Sequence, residues 1–543
     1  MVFMKQGSGA RDARASRDRA IGANAAARPL YAGTPGADDL RMAGSLRLAE
    51  FIAAMSLATD LGMGQPLEHG LRTCLTALEL ADLAGVEQDS LGEVYYTALL
   101  RFLGCTADAH ESAALAGGDE VALRAAIAPV MGGPPGELLK AVVPVLAAGH
   151  STAQRLRTTT VFLATGRARL RAGMRAHCEA AEMLAVRLGL PEATRRSLAA
   201  SFETWDGHGF PDGLEGESIP LPARIVFLAR NIEVIGRLRG PEAVRAALRD
   251  RAGHSIDPAL AAVALRSLDR LLGAARAEMP WDEALRREPR PFAEIPAERV
   301  DGVLAVFGDF ADLKWPARAG FCRDVAALAS AAAPDHAETL RRTGLVQDLG
   351  RVAVPGGIQD SPAHDERLRL HPYYSERILA RVPALAALAR LAGMHHERLD
   401  GSGYYRGATG PELPWEARVL AAADAFREFL VTAPVQPPPP PARAADALAR
   451  QAPQKLDSDA VEAVLAAAGL RDRRTRPAWP GGLTEREVEV LRLICRGATK
   501  KDVGAALAIS PNTADHHVRH IYTKIGVSSR AAATLFAVEH DLL

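Results

Sequence analysis

The feature that most constrains the fold of this chain is an internal repeat. Residues 395–404 read His-His-Glu-Arg-Leu-Asp-Gly-Ser-Gly-Tyr, and residues 201–210 read Ser-Phe-Glu-Thr-Trp-Asp-Gly-His-Gly-Phe, at a spacing of 395 − 201 = 194. The same spacing relates His177 to His371. Farther upstream the spacing is larger, because the first copy carries the extra residues 105–175. A repeat this long predicts two related domains in one chain.

The sequence around the repeat has a pattern that predicts helices. From Arg41 onward, Ala- and Leu-rich segments carry apolar residues three and four apart, with few β-branched runs and with Gly or Pro between segments, a pattern typical of amphipathic helices. We therefore predict an all-α protein with two helical bundles and a small C-terminal domain of four helices. The predicted boundaries are a disordered tail at 1–40, the first copy at 41–270, a linker at 271–300, the second copy at 301–470, a linker at 471–482 and the C-terminal domain at 483–543.

Individual helices follow from the same periodicity. We expect helices at Ser45–Ala58, Leu67–Ala84, Leu91–Leu103, Pro241–Leu265 and Ala444–Leu470. Residues 105–175 read as a looser helical insertion. The proline-rich run 434–441 predicts an extended, exposed loop within the second copy.

Composition narrows the cellular context. The five cysteines are scattered and form no Cys-x-x-Cys pair, which suits a reducing cytoplasm and argues against a disulfide framework. No apolar run reaches the ~18 residues of a membrane span, so we expect a cytoplasmic protein without a membrane partner. With 65 basic and 65 acidic residues, charge alone does not indicate nucleic acid.

The paired histidines indicate a metal site. Adjacent helical residues lie about 100° apart, so the rings of His395 and His396 can both reach one cation, and neutral imidazole is the commonest metal ligand. Gly401 and Gly403 allow the backbone to fold tightly behind them. The alternative is an ordinary helix end followed by a glycine turn. Since the first copy keeps the frame of this stretch but lacks both histidines, we predict that one half of the chain holds metal and the other does not.

The second copy resembles the HD-GYP branch of the HD phosphohydrolases. The resemblance rests on four stretches: Val346-Gln-Asp-Leu-Gly-Arg351, His371-Pro372, residues 395–404 and Ala423-Asp424. It covers about 300–470, and more weakly 41–270. It implies an all-α bundle with two or three metals, usually iron or manganese, that hydrolyses cyclic di-GMP through a metal-activated water.

The resemblance assigns roles to individual residues. It places Asp348 as the bridging aspartate, the three histidines as ligands of one metal and the late aspartate as a ligand of the other. The implied metal ligands are Asp348, His371, His395, His396 and Asp424. However, Phe321 and Gln347 replace two histidines of the family, Arg351 replaces a lysine, and Tyr405 replaces a proline. We therefore expect one divalent metal (iron, manganese or zinc), an anionic ligand such as a cyclic dinucleotide or phosphate, and poor activation of water.

The first copy departs further from the family. Arg101 and Phe102 stand in place of the His-Asp pair, Ser201 and Phe202 in place of the two histidines, and Arg230 in place of the late aspartate, which leaves His69 and His177. We expect no metal here and predict that Phe202 fills the space. One hypothesis is that Arg230 replaces the metal charge by pairing with Glu203 or Asp206, or by holding a ligand phosphate. Residues 108–111 offer substitute ligands, but read more simply as a solvated helix start.

The C-terminal stretch predicts a helix-turn-helix. Thr484 with Glu487 forms a capping box, and Ser510-Pro511 opens a helix with an apolar face and an opposite polar face, as major-groove readers need. Leu483–Leu535 resembles the LuxR-type DNA-binding domain through Leu-Thr-x-Arg-Glu-x-Glu-Val-Leu, a Ser510-x-x-Thr513 start and Lys524-Ile-Gly526. The candidate DNA-binding residues are Lys500, Lys501, Asn512, Thr513, His516, His517, Arg519, His520, Lys524 and Arg530.

The same resemblance makes Ala532–Val538 a dimer surface, so we expect a homodimer on double-stranded DNA. Residues 483–543 carry 8 Lys and Arg against 7 Asp and Glu, a net charge of 8 − 7 = +1. Such weak basicity means that DNA binding depends on where the charges lie.

Together these observations favour a transcription regulator in which a degenerate HD-GYP-like module senses a ligand, with no residue assigned a catalytic role. Two alternatives stay open. One is a metal-dependent cyclic di-GMP phosphodiesterase coupled to DNA binding, and the other is a dimerising scaffold without ligand.

Overall fold

The computed structural model describes residues 46–146, 151–360, 366–431, 440–469 and 479–543. The predicted all-α class is confirmed. In the described part of the chain the only β-structure besides isolated bridges is a pair of short antiparallel strands, β1 (Leu46–Arg47) and β2 (Glu294–Ile295). The predicted tail at 1–40 and most of the proline-rich loop at 434–441 and of the linker at 471–482 lie outside the described residues.

The first copy is a bundle of short helices with one long helix, α7, whose first half is largely exposed. Its helices are α1 (Leu48–Gly62), α2 (His69–Leu83), α3 (Leu91–Leu100), α4 (Ala109–Ala116), α5 (Glu120–Ile127), α6 (Pro135–Val142), α7 (Thr152–Leu188), α8 (Glu192–Ala199), α9 (Leu221–Arg239), α10 (Pro241–Arg251), α11 (Pro258–Arg266) and α12 (Leu268–Ala275). The insertion at 105–175 consists of α4 to α6 and the first half of α7. The single helix expected at Pro241–Leu265 is wrong, because Asp257 caps a new helix with hydrogen bonds from the backbone N–H groups of Ala259 and Leu260.

Residues 271–300, expected as a linker, are structured in part. They include α13 (Pro280–Arg286) and β2. Trp281 and Glu288 are buried, and Glu288 pairs with Arg47 next to the small sheet. This segment therefore packs against the first copy rather than spanning open solvent.

The second copy repeats the bundle without the insertion. Its helices are α14 (Val300–Asp312), α15 (Phe321–Ala332), α16 (Ala337–Val346), α17 (Glu366–Arg369), α18 (His371–Leu379), α19 (Ala386–Ala392), α20 (Trp415–Leu430), α21 (Pro441–Ala449) and α22 (Ser458–Gly469). The continuous helix expected at Ala444–Leu470 is also wrong, because a turn capped by Asp457 separates α21 from α22.

Backbone geometry shows that the two copies are built alike. A Cβ added to Gly104 would lie 1.9 Å from the carbonyl oxygen of His177, and one added to Gly350 would lie 2.1 Å from that of His371. In the repeated stretch, the carboxylate of Glu203 accepts a hydrogen bond from the Asp212 N–H (2.8 Å), as that of Glu397 does from the Arg406 N–H (2.7 Å). The spacing of 194 read from the sequence thus holds for hydrogen-bond partners as well.

The copies contact one another directly. Their first helices meet where the ring of Phe51 in α1 lies edge-on to that of Phe307 in α14, with centroids 6.3 Å apart. Lys314 of the second copy and Glu120 of the insertion form a buried ion pair at 2.9 Å. The insertion therefore joins the two copies.

The C-terminal domain is a four-helix unit, as predicted. Its helices are α23 (Glu485–Cys495), α24 (Lys500–Leu507), α25 (Pro511–Ile525) and α26 (Arg530–Glu539). Both side chains of the Thr484–Glu487 capping box make the expected hydrogen bonds. The domain lies against α7 through α26, and the carboxylate of Glu179 in α7 accepts hydrogen bonds from the backbone N–H and hydroxyl of Ser528.

Candidate metal centre and nucleic-acid surface

Helix ends of the second copy bring the predicted ligands together. Asp348 directly follows α16, His371 opens α18, and His395 and His396 follow α19. Donor atoms of these four side chains lie within 4.8 Å of one another, and all four side chains are buried. This is the one group of three or more His, Cys, Asp or Glu side chains within the described residues that converges in this way.

The hydrogen bonds of His371 and His395 leave the unprotonated Nε2 atom of each ring facing Asp348. Nδ1 of His371 lies 2.6 Å from the Leu368 carbonyl oxygen, and Nδ1 of His395 lies 2.6 Å from that of Ala392. A carbonyl can only accept, so each Nδ1 carries the proton and each neutral ring presents a lone pair at Nε2. This arrangement also fixes the rings in the way usual for metal-ligating histidines.

The spacing of these atoms fits one cation. The two Nε2 atoms are 3.1 Å apart, and they lie 3.2 Å (His371) and 3.3 Å (His395) from Oδ1 of Asp348. Donors about 2.1 Å from a divalent ion lie about 3.0 Å apart in octahedral and about 3.4 Å apart in tetrahedral coordination. Oδ1 accepts no well-aligned hydrogen bond from the described residues, although Nε of Arg351 forms an ion pair with it at 2.8 Å. Three electron-rich atoms this close, without a proton between them, fit a bound cation.

His396 and Asp424 extend the group. Nδ1 of His396 lies 3.7 Å from Oδ2 of Asp424. Nε2 of His396 and Oδ2 of Asp424 are buried and have no hydrogen-bond partner within the described ranges. The ring of His396 stacks on Tyr404, with centroids 4.7 Å apart. All five residues predicted as ligands thus lie at one place.

Protein groups occupy the position where the sequence departs from the family. Nη2 of Arg318 donates to Oδ2 of Asp348 at 2.5 Å, and Nη1 pairs with Glu428. The guanidinium lies 3.5 Å from the ring centroid of Phe321. Nε2 of Gln347 donates to Oδ1 of Asp424 at 2.9 Å. A fixed positive charge and an amide therefore satisfy the carboxylate oxygens that face away from the histidines.

Sequence reasoning missed Arg318 and Glu428. A signal existed for each, because Arg318 lies three residues before Phe321, and Glu428 lies four residues after Asp424 on α20 and so shares its helical face. Neither belongs to a motif that the sequence displays.

Burial and neighbouring charges lower the pKa values of His371 and His396, and neighbouring charges keep the carboxyl group of Asp348 ionised. Burial and then the charge of Arg351 lower the pKa of His371 to about 3. Burial and then His395 lower the pKa of His396 well below its ordinary value. Burial alone would raise the pKa of Asp348, but Arg351 and Arg318 hold it well below the ordinary value. Burial raises the pKa of Asp424 to about 6. Neutral imidazole and ionised carboxylate are the forms that bind metals.

The corresponding place in the first copy is filled by aromatic rings. Phe102, Phe202 and His177 pack together, with ring centroids 6.2 Å apart for the two phenylalanines and 4.8 Å apart for His177 and Phe202. Phe202 is buried, so the prediction that it fills the space is confirmed. Nδ1 of His69 pairs instead with Glu233 at 2.6 Å.

The pairing proposed for Arg230 is wrong. Its Nη1 donates to the backbone carbonyl of Ala128 at 2.6 Å. The Glu203 carboxylate is taken by backbone N–H groups, and that of Asp206 by Thr204 and His208. The turn around each carboxylate satisfies it locally, so neither needs an arginine.

Most of the predicted DNA-contacting side chains lie on exposed surface. On α25 the exposed residues are Asn512, Thr513, His516, Arg519, His520 and Lys524, whereas His517 is half-buried. Lys500 and Lys501 of α24 are also exposed. The opposite face of α25, with Ala514, Val518 and Ile521, is buried in the domain core.

Several of these cations already have acidic partners in the protein. Lys524 pairs with Glu487 at 2.6 Å, Arg519 pairs with Asp515 at 2.7 Å, and Lys500 also pairs with Asp515. Arg530 pairs with Glu111 of the first copy. The predicted dimer surface Ala532–Val538 is largely buried, with α26 against α7.

A helical bundle that gathers one aspartate and three histidines, followed by a helix-turn-helix, defines the class of protein. Residues 167–260 and 311–460 match the HD domain family, and residues 482–537 match the bacterial regulatory proteins of the luxR family. The chain is therefore an HD-domain protein with a C-terminal LuxR-type domain, homologous to HD-GYP phosphodiesterases.

Known proteins resemble long parts of the chain. The 3'3'-cGAMP-specific phosphodiesterase 3 of Vibrio cholerae is 28% identical over 394 residues, which are 70% of this chain and 85% of that protein. The cyclic di-GMP phosphodiesterase response regulator RpfG of Xanthomonas campestris is 36% identical over 101 residues, 16% of this chain and 25% of that protein. The crystal structure of a cyclic GMP-AMP-specific phosphodiesterase of V. cholerae shares the fold, with a TM-score of 0.54 and 24% identity, and covers 79% of this chain and 99% of its own.

Helices with the length and apolar character needed to cross a membrane are absent from the described part of the chain.

Proposed function

We propose that this chain is a DNA-binding transcription regulator whose second HD copy binds one divalent metal and, next to it, an anionic ligand. The observation that carries the proposal is the triangle of Asp348 Oδ1 and the Nε2 atoms of His371 and His395, with sides of 3.1, 3.2 and 3.3 Å. The LuxR-type domain supplies the output, with an exposed polar face on α25.

The residues of the site have separate roles. Asp348, His371, His395 and His396 would hold the metal, which supplies Lewis acidity toward phosphoryl oxygens when bound. Arg318 and Arg351 add fixed positive charge beside it and favour an anionic ligand. Since the V. cholerae relative is named for 3'3'-cGAMP, we infer that the ligand is a 3',3'-cyclic dinucleotide.

Metal content tests the proposal. The purified chain should contain about one equivalent of iron, manganese or zinc by elemental analysis, and His395→Ala should contain none. His208→Ala is the matched control, because its ring is 74% exposed and lies outside the site. Calorimetric titration with 3'3'-cGAMP and with cyclic di-GMP should detect binding to the metal-loaded protein. Absence of both metal and nucleotide binding would leave only the dimerising scaffold.

A second function, phosphodiesterase activity, is favoured by the same four ligands and by homology to phosphodiesterases. Arg318, Phe321 and Gln347 argue against it, because they occupy the position that would complete a second metal site. Turnover of 3'3'-cGAMP or cyclic di-GMP that is lost in Asp348→Ala would establish the enzyme and displace the sensor.

A further inference from the structure

The first half of α7 is a strongly basic surface that neither the metal centre nor the helix-turn-helix uses. Residues 151–175, here called the basic arm, contain six arginines and no Asp, Glu or Lys. The arginines are Arg155, Arg157, Arg167, Arg169, Arg171 and Arg175. Such a run is exceptional in a chain with a formal net charge of zero.

The arm is held by one narrow face. Phe162 packs on the cluster formed by Ala116, Leu123, Val142 and Leu146, and a Cβ added to Gly173 would lie 3.5 Å from the carboxylate of Asp108. The six arginines are all exposed. Most of the helical surface of the arm therefore faces solvent.

Five of the arginines carry uncompensated charge. Arg175 lies 3.3 Å from Asp212, whereas the other five form no ion pair with the described residues. On a helical wheel Arg157, Arg167 and Arg171 fall within an arc of about 80°. These three form one positive stripe, whereas Arg155 and Arg169 lie on the opposite side of the helix.

The helix-turn-helix lacks the charge that DNA binding needs. Its net charge is +1, and Lys500, Arg519, Lys524 and Arg530 are paired with acidic side chains. Neutralisation of phosphates supplies nearly all of non-specific DNA affinity. A duplex bound by this domain alone would therefore be held weakly.

The basic arm and the helix-turn-helix are attached to the same helix. α26 packs on α7, and Ser528 is hydrogen-bonded to Glu179. At ~1.5 Å per residue, Arg167 lies about 18 Å and Arg157 about 33 Å along the helix from Glu179. The latter length is close to one turn of B-DNA, about 34 Å.

We propose that the basic arm is a second nucleic-acid surface, which binds the phosphate backbone of duplex DNA beside the site contacted by the helix-turn-helix. The inference rests on the proposed DNA-binding function and adds the charge that this function lacks. The three arginines of the stripe contact phosphate oxygens without reading base sequence.

Two other partners fit the arm less well. Leu156, Leu163 and Leu170 are exposed at intervals of seven residues, which is the spacing of a coiled-coil seam. A second copy of the arm would place arginines against arginines with no acidic residue between them. A membrane surface is disfavoured because the single aromatic side chain of the arm, Phe162, packs inward.

The test is the salt dependence of binding to a random-sequence 40-base-pair duplex, measured by fluorescence anisotropy between 50 and 200 mM salt. The triple variant Arg157→Gln/Arg167→Gln/Arg171→Gln should bind at least tenfold more weakly at the lower salt concentration, with the slope of log affinity against log salt reduced by about two to three. The matched control is Arg196→Gln/Arg249→Gln/Arg266→Gln. It removes three exposed charges from other helices of the first copy and should leave both values unchanged.

The outcomes separate this inference from the proposed function. A wild-type chain that binds no duplex at all refutes the DNA-binding regulator. Wild-type binding that the arm variant leaves intact overturns the inference alone. It is also overturned if the arm variant loses binding to phosphatidylglycerol vesicles but not to duplex. The same holds if Leu156→Gln/Leu163→Gln dissociates a dimer in light scattering while the arginine variant binds duplex normally.

Discussion

Arg318 shows how one residue changes what the second copy can bind. Its guanidinium donates to Oδ2 of Asp348, pairs with Glu428 and covers the ring of Phe321. A cation bound between Asp348 and the histidines would be repelled by this fixed positive charge at close range. We therefore expect the side chain to limit the proposed site to one metal and to lower the affinity for that metal.

Replacement of Arg318 should strengthen metal binding. A divalent ion and a single positive charge about 5 Å apart repel by about 2–7 kcal/mol for an effective dielectric constant between 80 and 20, before any relaxation. Arg318→Met should thus raise the affinity for manganese or zinc at least tenfold in a competition assay with a fluorescent chelator. Arg427→Met is the control, because Arg427 pairs with Asp324 and makes no contact with Asp348. Equal affinities for wild type and Arg318→Met would contradict this account.

His177 should make the first copy sensitive to acid. Its ring is buried, with Nε2 donating to the Arg101 carbonyl at 3.1 Å, and burial lowers its pKa from 6.5 to about 4. Below about pH 6.5 His177 is protonated in the unfolded chain, whereas in the folded chain it stays neutral down to about pH 4. Stability therefore falls as the pH drops through this window, by about 2 kcal/mol between pH 7 and pH 5.

Urea unfolding at the two pH values measures this loss. His177→Gln should lose about 2 kcal/mol less than wild type between pH 7 and pH 5, whereas the exposed His254→Gln should behave as wild type. The same acid dependence in wild type and His177→Gln would show that the proton is taken up elsewhere.

At the residue level, the sequence motifs predicted side chains that the fold brings close together, and they missed the residues outside those motifs. The histidines and aspartates at 348, 371, 395, 396 and 424 were found because each has a counterpart in a known pattern. Arg318 and Glu428 were not, because their roles arise from contacts between segments 110 residues apart. The pairing expected for Arg230 failed since a local turn already satisfies the neighbouring carboxylates.

At the level of elements, the close approach of a glycine to the histidine-bearing helix is the feature that both copies retain. Gly104 and Gly350 leave no room for a Cβ against the carbonyl oxygens of His177 and His371. The contact sets where each histidine-bearing helix lies. It survives in the first copy although the metal ligands do not, which indicates that it is required for packing rather than for metal.

Alanine at either glycine should therefore destabilise its own copy. A contact of about 2 Å with backbone cannot relax by a change of rotamer, so Gly104→Ala and Gly350→Ala should each cost at least the 1–3 kcal/mol or so of an overpacked core. Gly350→Ala should in addition lower metal content, because His371 must move. Gly92→Ala on α3, where nothing lies within 4 Å of the added Cβ, should be neutral or stabilising. Thermal unfolding of the three variants decides the matter, and equal melting temperatures would refute the steric argument.

Tertiary contacts explain the two helix breaks that the sequence prediction missed. Alanine-rich periodicity runs across both breaks, so each pair of helices read as one. The breaks are held by Asp257 and Asp457, which cap the next helix and also pair with Arg224 and Arg418 at 2.7 and 3.0 Å. A long-range ion pair of this kind leaves no periodic trace in the sequence.

At the scale of the whole molecule, the candidate metal centre lies next to the C-terminal domain. A cleft is lined by Arg318 and Phe321 on one side and by Arg496 and Leu543 on the other. The side chain that contacts Asp348 therefore also borders the DNA-binding unit. A ligand that displaces Arg318 would therefore change the contacts between the second copy and the C-terminal domain. In the proposed sensor, this change would couple ligand binding to DNA binding.

The insertion in the first copy carries a buried ion pair with the second copy, and the contribution of this pair to stability can be tested. Lys314 and Glu120 are almost fully buried and lie 2.9 Å apart. Nζ of Lys314 also donates to the Val352 carbonyl, and Glu120 accepts from the Gly356 N–H. Removal of one partner leaves a buried charge uncompensated, so Lys314→Met should destabilise the chain by about 3–5 kcal/mol.

The double variant Lys314→Met/Glu120→Gln separates charge from packing. Gln keeps an acceptor for Gly356 and removes the unpaired charge, so this variant should recover most of the loss in urea unfolding. Because Val352 follows Arg351 in the metal centre, the single variant should also reduce metal content, whereas the double variant should restore it. If stability recovers but metal content does not, the ion pair stabilises the contact between the copies and does not contribute to metal binding.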